Sequence, residues 1–128
     1  MAAHEILIVD PDKIEVQLVS QQLKELGYAP LWAADIDEAF VILNARAIVA
    51  VLCNYALPSG NGVEFLKQIR QHERFLKLPV LLMTHAASSR IVHEAKEQGV
   101  SDFVLKPLDA NRIRKALAMF IAKGPAPA

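Results

Sequence analysis

Ile48-Val49-Ala50-Val51-Leu52-Cys53 runs six apolar residues without a polar interruption before Asn54 ends it. A strand with one wet face alternates apolar and polar residues. A run that does not alternate fits a strand covered on both faces, as in a parallel sheet between two layers of helices. Outward from this run the pattern recurs in both directions. Ile6-Leu7-Ile8-Val9 lies upstream and Val80-Leu81-Leu82-Met83 downstream, with Phe103-Val104-Leu105 a shorter fourth run and Leu31-Trp32-Ala33 the weakest.

Between the runs the apolar period changes to that of helices, and the ends are readable. Asp12-Lys13-Ile14-Glu15 fits a capping box with Asp as the cap. The helix it opens carries Leu18, Val19, Leu23 and Leu26 on one face and stops at Gly27. Asp35 opens a second helix with Ala39, Phe40 and Leu43 inward, and Asn61-Gly62 a third with Val63, Leu66 and Ile69. Ser88-Ser89 opens a fourth, which ends at Gly99 and turns Ile91, Val92 and Ala95 inward. Asp109 opens a fifth with Ile113, Leu117, Phe120 and Ile121. Five strand–helix pairs predict a doubly wound (βα)5 α/β domain with helices on both faces of a five-stranded parallel sheet. Residues 1–122 are assigned to this domain and 123–128, which include Gly124-Pro125-Ala126-Pro127-Ala128, to a tail or linker.

Composition agrees. The 128 residues suit one domain, and 53% hydrophobic with 22% charged residues excludes a disordered chain. Fourteen basic against fourteen acidic residues leave no overall charge to attract nucleic acid or anionic lipid, so no direct nucleic-acid partner is expected. Cys53 is the single cysteine, which excludes an intrachain disulfide and suits a reducing compartment. The longest apolar stretch, Ala45 to Cys53, is far short of the ~20 residues that cross a bilayer, and the first residues carry no secretory pattern. The expectation is a cytoplasmic protein with no membrane contact.

In an open α/β sheet the ligand site lies at the carboxyl ends of the strands. There the sequence puts Asp10, Pro11 and Asp12, then Asn54, Thr84 with His85, and Lys106 with Pro107. Four pieces, Ile-Leu-Ile-Val-Asp at 6–10, Leu-Pro-Ser-Gly-Asn-Gly at 57–62, Leu-Pro-Val-Leu-Leu-Met-Thr at 78–84 and Asp-Phe-Val-Leu-Lys-Pro at 102–107, occur in the order and spacing of one family. Over about residues 5 to 122 the chain resembles the CheY-like receiver domains of bacterial two-component response regulators. The resemblance implies a flavodoxin-like sheet of strand order 2-1-3-4-5. It also implies phosphoryl transfer to an Asp at the end of strand 3, with Mg²⁺ held between that Asp and an acidic pair after strand 1. Asp10 matches the first acid, Thr84 the switch hydroxyl, Phe103 the switch aromatic, and Lys106 the pocket lysine, followed by Pro107 in a cis peptide.

Two positions depart from the pattern: the phosphoacceptor position holds Asn54, and the second acid is Pro11. A carboxylate attacks phosphorus as an anionic oxygen; a carboxamide is neutral and its nitrogen lone pair is tied up in resonance. Mg²⁺ is held by one or two carboxylates with its waters, so binding here is expected to be weak or lost. Asp12 could compensate, but as an N-cap its oxygen is wanted by backbone amides. The sequence thus predicts a pseudo-receiver: a non-enzymatic regulatory module that binds a protein such as a histidine kinase or an output domain. The resemblance points to the face of helix 4, strand 5 and helix 5, with His93, Lys96, Phe103 and Arg112, as the partner or homodimer surface. The alternative is a weakly phosphorylatable receiver within a larger response regulator or hybrid kinase. Plain structural readings stand beside these: an Asp10–Lys106 ion pair, Asn54 bonding nearby loop backbone, a solvated or pocket-filling His85, an inert Cys53, and Arg70, Arg74 and Lys77 as a solvated surface.

Overall fold

The computed structural model describes residues 3–121; the tail assigned to 123–128 lies outside them. Strands β1 (Glu5–Val9), β2 (Ala29–Ala33), β3 (Ile48–Asn54), β4 (Val80–Thr84) and β5 (Asp102–Leu105) form one parallel sheet. Their order is β2-β1-β3-β4-β5, as expected. Helices α1 (Lys13–Glu25), α2 (Ile36–Ala45), α3 (Gly62–Arg70), α4 (Ser89–Glu97) and α5 (Ala110–Phe120) alternate with the strands.

The unbroken apolar runs find their explanation in two cores. Successive strand residues point to opposite faces. Ile6, Ile8, Leu52, Leu81 and Met83 therefore pack with Val16, Val19 and Leu23 of α1 and Ile113 and Leu117 of α5. Leu7, Val9, Val51, Cys53 and Leu82 turn the other way, onto Ala39 and Leu43 of α2, Leu66 and Ile69 of α3, and Ala95 of α4. Each large side chain buried this way contributes about 1.5–3 kcal/mol, so the two cores carry the fold. After a register shift between Glu5 and Ile6 in the β1–β3 pairing, the strands run in register toward their carboxyl ends, Ile8 opposite Leu52 and Leu52 opposite Leu81. This brings the carboxyl ends of β1, β3, β4 and β5 to one edge of the sheet.

The caps form as their chemistry predicts. Asn61 accepts from the amides of Val63 and Glu64, Ser88 from Ile91, and Asp109 from Arg112. Gly27 takes a left-handed φ of 93° at the turn after α1. Three expectations are corrected here. Leu18 is 59% exposed, because α1 rests on the sheet through Val16, Val19 and Leu23. Asp35 precedes α2 without capping it; its Oδ1 accepts from the Ser59 hydroxyl at 2.9 Å, tying α2 to the loop after β3. That loop forms a small antiparallel hairpin, Ala56–Leu57 against Gly60–Asn61. Arg70 is not simply solvated: its guanidinium donates to the Gly99 carbonyl at 2.8 and 3.1 Å and to the Phe75 carbonyl at 2.8 Å.

Gly62 sits where α3 begins against the sheet. A Cβ there would lie 2.6 Å from Leu82 Cδ2 and 3.1 Å from the Asn54 carbonyl oxygen. Gly62→Ala is expected to cost about 1–3 kcal/mol, measured by urea denaturation, because neither neighbour is free to withdraw.

Candidate functional site

Asp10 leaves the end of β1 with 1% of its surface exposed, so its carboxylate needs partners. Oδ1 accepts from the Asp12 amide at 2.9 Å, and Oδ2 lies 3.4 Å from Lys106 Nζ. The Trp32 indole N–H donates to the Asp10 backbone carbonyl at 2.8 Å, closing the turn from the side of β2. Asp12 is spent on the helix, as expected, its Oδ1 accepting from Ile14 at 2.9 Å and Glu15 at 3.4 Å.

Lys106 follows β5, and its amide donates to the Thr84 carbonyl at 2.8 Å. Its side chain is 6% exposed and runs back along the sheet edge to Asp10. The peptide after it, Lys106–Pro107, is cis, as the resemblance implies. A second carboxylate also holds the ammonium. Glu15, from the first turn of α1, is ion-paired and hydrogen-bonded to Lys106 Nζ. The capping-box reading of Glu15 is therefore corrected: the Asp12 amide goes to Asp10, and Glu15 turns into the pocket. His85, on an exposed loop after β4, brings Nε2 to 3.9 Å from Glu15 Oε1 and stands at the rim.

Asn54 ends β3 half-exposed, and its Nδ2 donates to the Ala56 carbonyl at 2.8 Å. The Thr84 hydroxyl is engaged within its own loop, donating to the Ala86 carbonyl at 3.1 Å and accepting from the Ala86 amide at 3.3 Å. Asp10, Asp12, Glu15, Asn54, Thr84 and Lys106 border one cavity of about 390 Å³, with Pro11 and His85 also on its wall. Cys53, the residue before Asn54, is fully buried, and burial pushes its thiol far above the ordinary range. Among the described residues no group of three or more His, Cys, Asp or Glu side chains converges as a metal site.

The expected partner-face residues do not all meet. Phe103 and Arg112 line a groove of about 310 Å³ with Leu105, Lys115 and Met119. Phe103 is half-buried against the core, while Leu105 and Met119 are exposed. His93 and Lys96 lie on exposed turns of α4 outside that groove, His93 against Glu97 at 2.5 Å. Arg112 Nε stands 3.7 Å from Asp109. Among the described residues no helix is long and apolar enough to cross a membrane.

A doubly wound sheet with a buried acid after β1, a hydroxyl on the last residue of β4 and a lysine after β5 defines the receiver class of signalling domain. The chain belongs to the response regulator receiver domain family, whose sequence profile matches residues 6–118. It is 31% identical over 113 residues to chemotaxis protein CheY-3 of Vibrio cholerae, covering 88% of this chain and 87% of that one. The structure of Vibrio cholerae chemotaxis protein CheY4 matches with a TM-score of 0.89 at 27% identity, covering 94% of this chain and 100% of that one. The receiver domain of sensor histidine kinase PA1611 from Pseudomonas aeruginosa shares the fold at 24% identity and a TM-score of 0.86, covering 95% of this chain and 100% of that one. That structure has a magnesium ion coordinated in its active-site cleft.

Burial raises the Asp10 carboxyl above its ordinary 3.8; the Asp12 amide and Lys106 pull against this, and Glu15 adds to it. An acid with a raised folded-state pKa holds its proton more tightly when folded. Its contribution to stability is fully present below 3.8 and is lost as pH climbs from there through the raised folded-state value. Across about pH 4 to 7, Asp10→Asn should flatten the fall in stability with rising pH, read from urea midpoints of the two proteins.

Proposed function

We propose that this receiver is not charged by phosphate at its third strand and works as a regulatory module that binds another protein. The observation that carries the reading is the state of the pocket charges. Lys106 is already neutralised by Asp10 and Glu15, and the Asn54 amide is spent on the Ala56 carbonyl. Asn54 offers no anionic oxygen for attack on phosphorus. Asp10, the remaining buried acid, has both oxygens engaged.

Mg²⁺ does not fit the residues present. Near-octahedral coordination draws on carboxylates with free lone pairs facing a common point. Pro11 supplies no side-chain oxygen, Asp12 caps α1, and Glu15 and Asp10 turn toward Lys106 rather than toward Asn54. Incubated with Mg²⁺ and phosphoramidate, the wild-type protein should gain no phosphoryl adduct by intact-mass spectrometry. Pro11→Asp combined with Asn54→Asp should gain one, since the pair restores a nucleophile and a second metal-facing acid. A stoichiometric adduct on the wild-type chain overturns the reading in favour of a working receiver.

The interaction surface in this proposal is the groove between β5 and α5. Its floor is Phe103, its exposed apolar rim Leu105 and Met119, and its cationic edge Arg112 and Lys115. Exposed apolar side chains ringed by charge are the composition of a protein-binding patch. A histidine kinase, an output domain or a second copy of the chain is the kind of partner the family resemblance supplies. With a partner in hand, Arg112→Glu should weaken binding by about tenfold or more, as expected for reversing a charge at an interface. Asn54→Ala should leave it within about twofold, both read by isothermal titration calorimetry.

A further inference from the structure

We infer that Glu15 is an internal counter-ion that has taken over Lys106 from the carboxylates absent at positions 11 and 54, and that this contact clasps α1 to the loop after β5. The inference rests on the functional reading above, in which no phosphoryl group arrives to pair with the lysine.

The charge arithmetic requires such a partner. Lys106 is 6% exposed, and a buried ammonium without adequate compensation is expensive. Asp10 alone compensates poorly, because Oδ2 is a long 3.4 Å from Nζ and Oδ1 is turned to the Asp12 amide. The missing negative charge has to come from an element that can reach Nζ from outside the sheet edge. Residue 15 meets that requirement, since the Asp12 cap places it in the first turn of α1 beside the loop after β5. Glu15 is 29% exposed, so its other oxygen stays near solvent with His85 Nε2 at 3.9 Å. Its carboxylate thus balances a buried charge without being fully desolvated itself, which makes the pair far cheaper than two buried ions.

The contact joins residues 91 apart in sequence. It lies beside the apolar seam in which Leu18, Val19 and Gln22 face Pro107 and Leu108, and there Gln22 Nε2 donates to the Leu108 carbonyl at 3.3 Å. A tie at Lys106 therefore sets the start of the segment that leads through Leu108 to Asp109 and the Arg112 edge of the partner groove. Glu15 is in this sense a positioning residue for that groove, although it lies outside it.

The test is chemical access to the lysine. Wild type, Glu15→Gln and Asp10→Asn are treated with limiting acetic anhydride, and acylation of each lysine is followed by peptide mass mapping. In wild type, Lys106 should be among the slowest lysines. In Glu15→Gln its rate should rise several-fold while the exposed Lys24 and Lys67 stay unchanged, and in Asp10→Asn it should rise less. Backbone amide shifts from Lys106 to Arg112 should move in Glu15→Gln. Unchanged labelling and unchanged shifts in a folded Glu15→Gln overturn the inference. A measurement on wild type alone guards against a variant that does not fold: nuclear Overhauser contacts between Glu15 Hγ and Lys106 Hε are expected, and their absence overturns it equally. A phosphoryl adduct on wild type would sink the functional reading and leave the labelling contrast between wild type and Glu15→Gln standing. Equal labelling would sink the counter-ion whatever the adduct experiment gives.

Discussion

A buried cation at the edge of a hydrophobic sheet is the constraint on which the rest of this site depends. The Lys106 ammonium is held at the carboxyl ends of the strands by the β4–β5 pairing and by its own amide on Thr84. Two carboxylates answer that charge. Asp10 is nearly inaccessible because it faces the lysine, and Glu15 leaves the helix cap for the same reason. Buried ion pairs add little net stability when compared with a well-packed apolar replacement. The pair therefore specifies how β1, α1 and the loop after β5 meet, while the two apolar cores hold the domain together.

Much of this architecture is legible in the sequence. Continuous runs such as Ile48 to Cys53 have one economical explanation, a strand covered on both faces, and alternate residues of each run duly divide between the two cores. Caps at Asp12, Asn61, Ser88 and Asp109 were legible because a short polar side chain at a helix start bonds its own backbone, a local matter. Asp10, Asn54, Thr84 and Lys106 were legible as neighbours, since strand ends in a parallel sheet converge.

What escaped was decided at a distance. Glu15 matched the pattern of a capping box, and only a lysine 91 residues away turned its side chain elsewhere. Asp35 is a good cap by residue type, yet Ser59 took its oxygen. Leu18 looked inward by helical spacing, but rotation of α1 on the sheet left it outside. Arg70 is a polar residue at a helix end until the Gly99 and Phe75 carbonyls are seen within its reach. In each case a local preference was real and a tertiary partner outbid it. The signal that could have exposed Glu15 is a count of charges: one lysine with a single remaining acid wants another.

Trp32 is the one tryptophan in the chain, and its indole is hydrogen-bonded to the carbonyl of Asp10 on the border of the pocket. The ring is part exposed and part packed, so its emission colour depends on both solvent contact and that single bond. The protein thereby carries an intrinsic optical probe within one residue's reach of its buried acid. Rearrangement of the turn after β1 is translated into light without a label, and global unfolding reports through the same fluorophore.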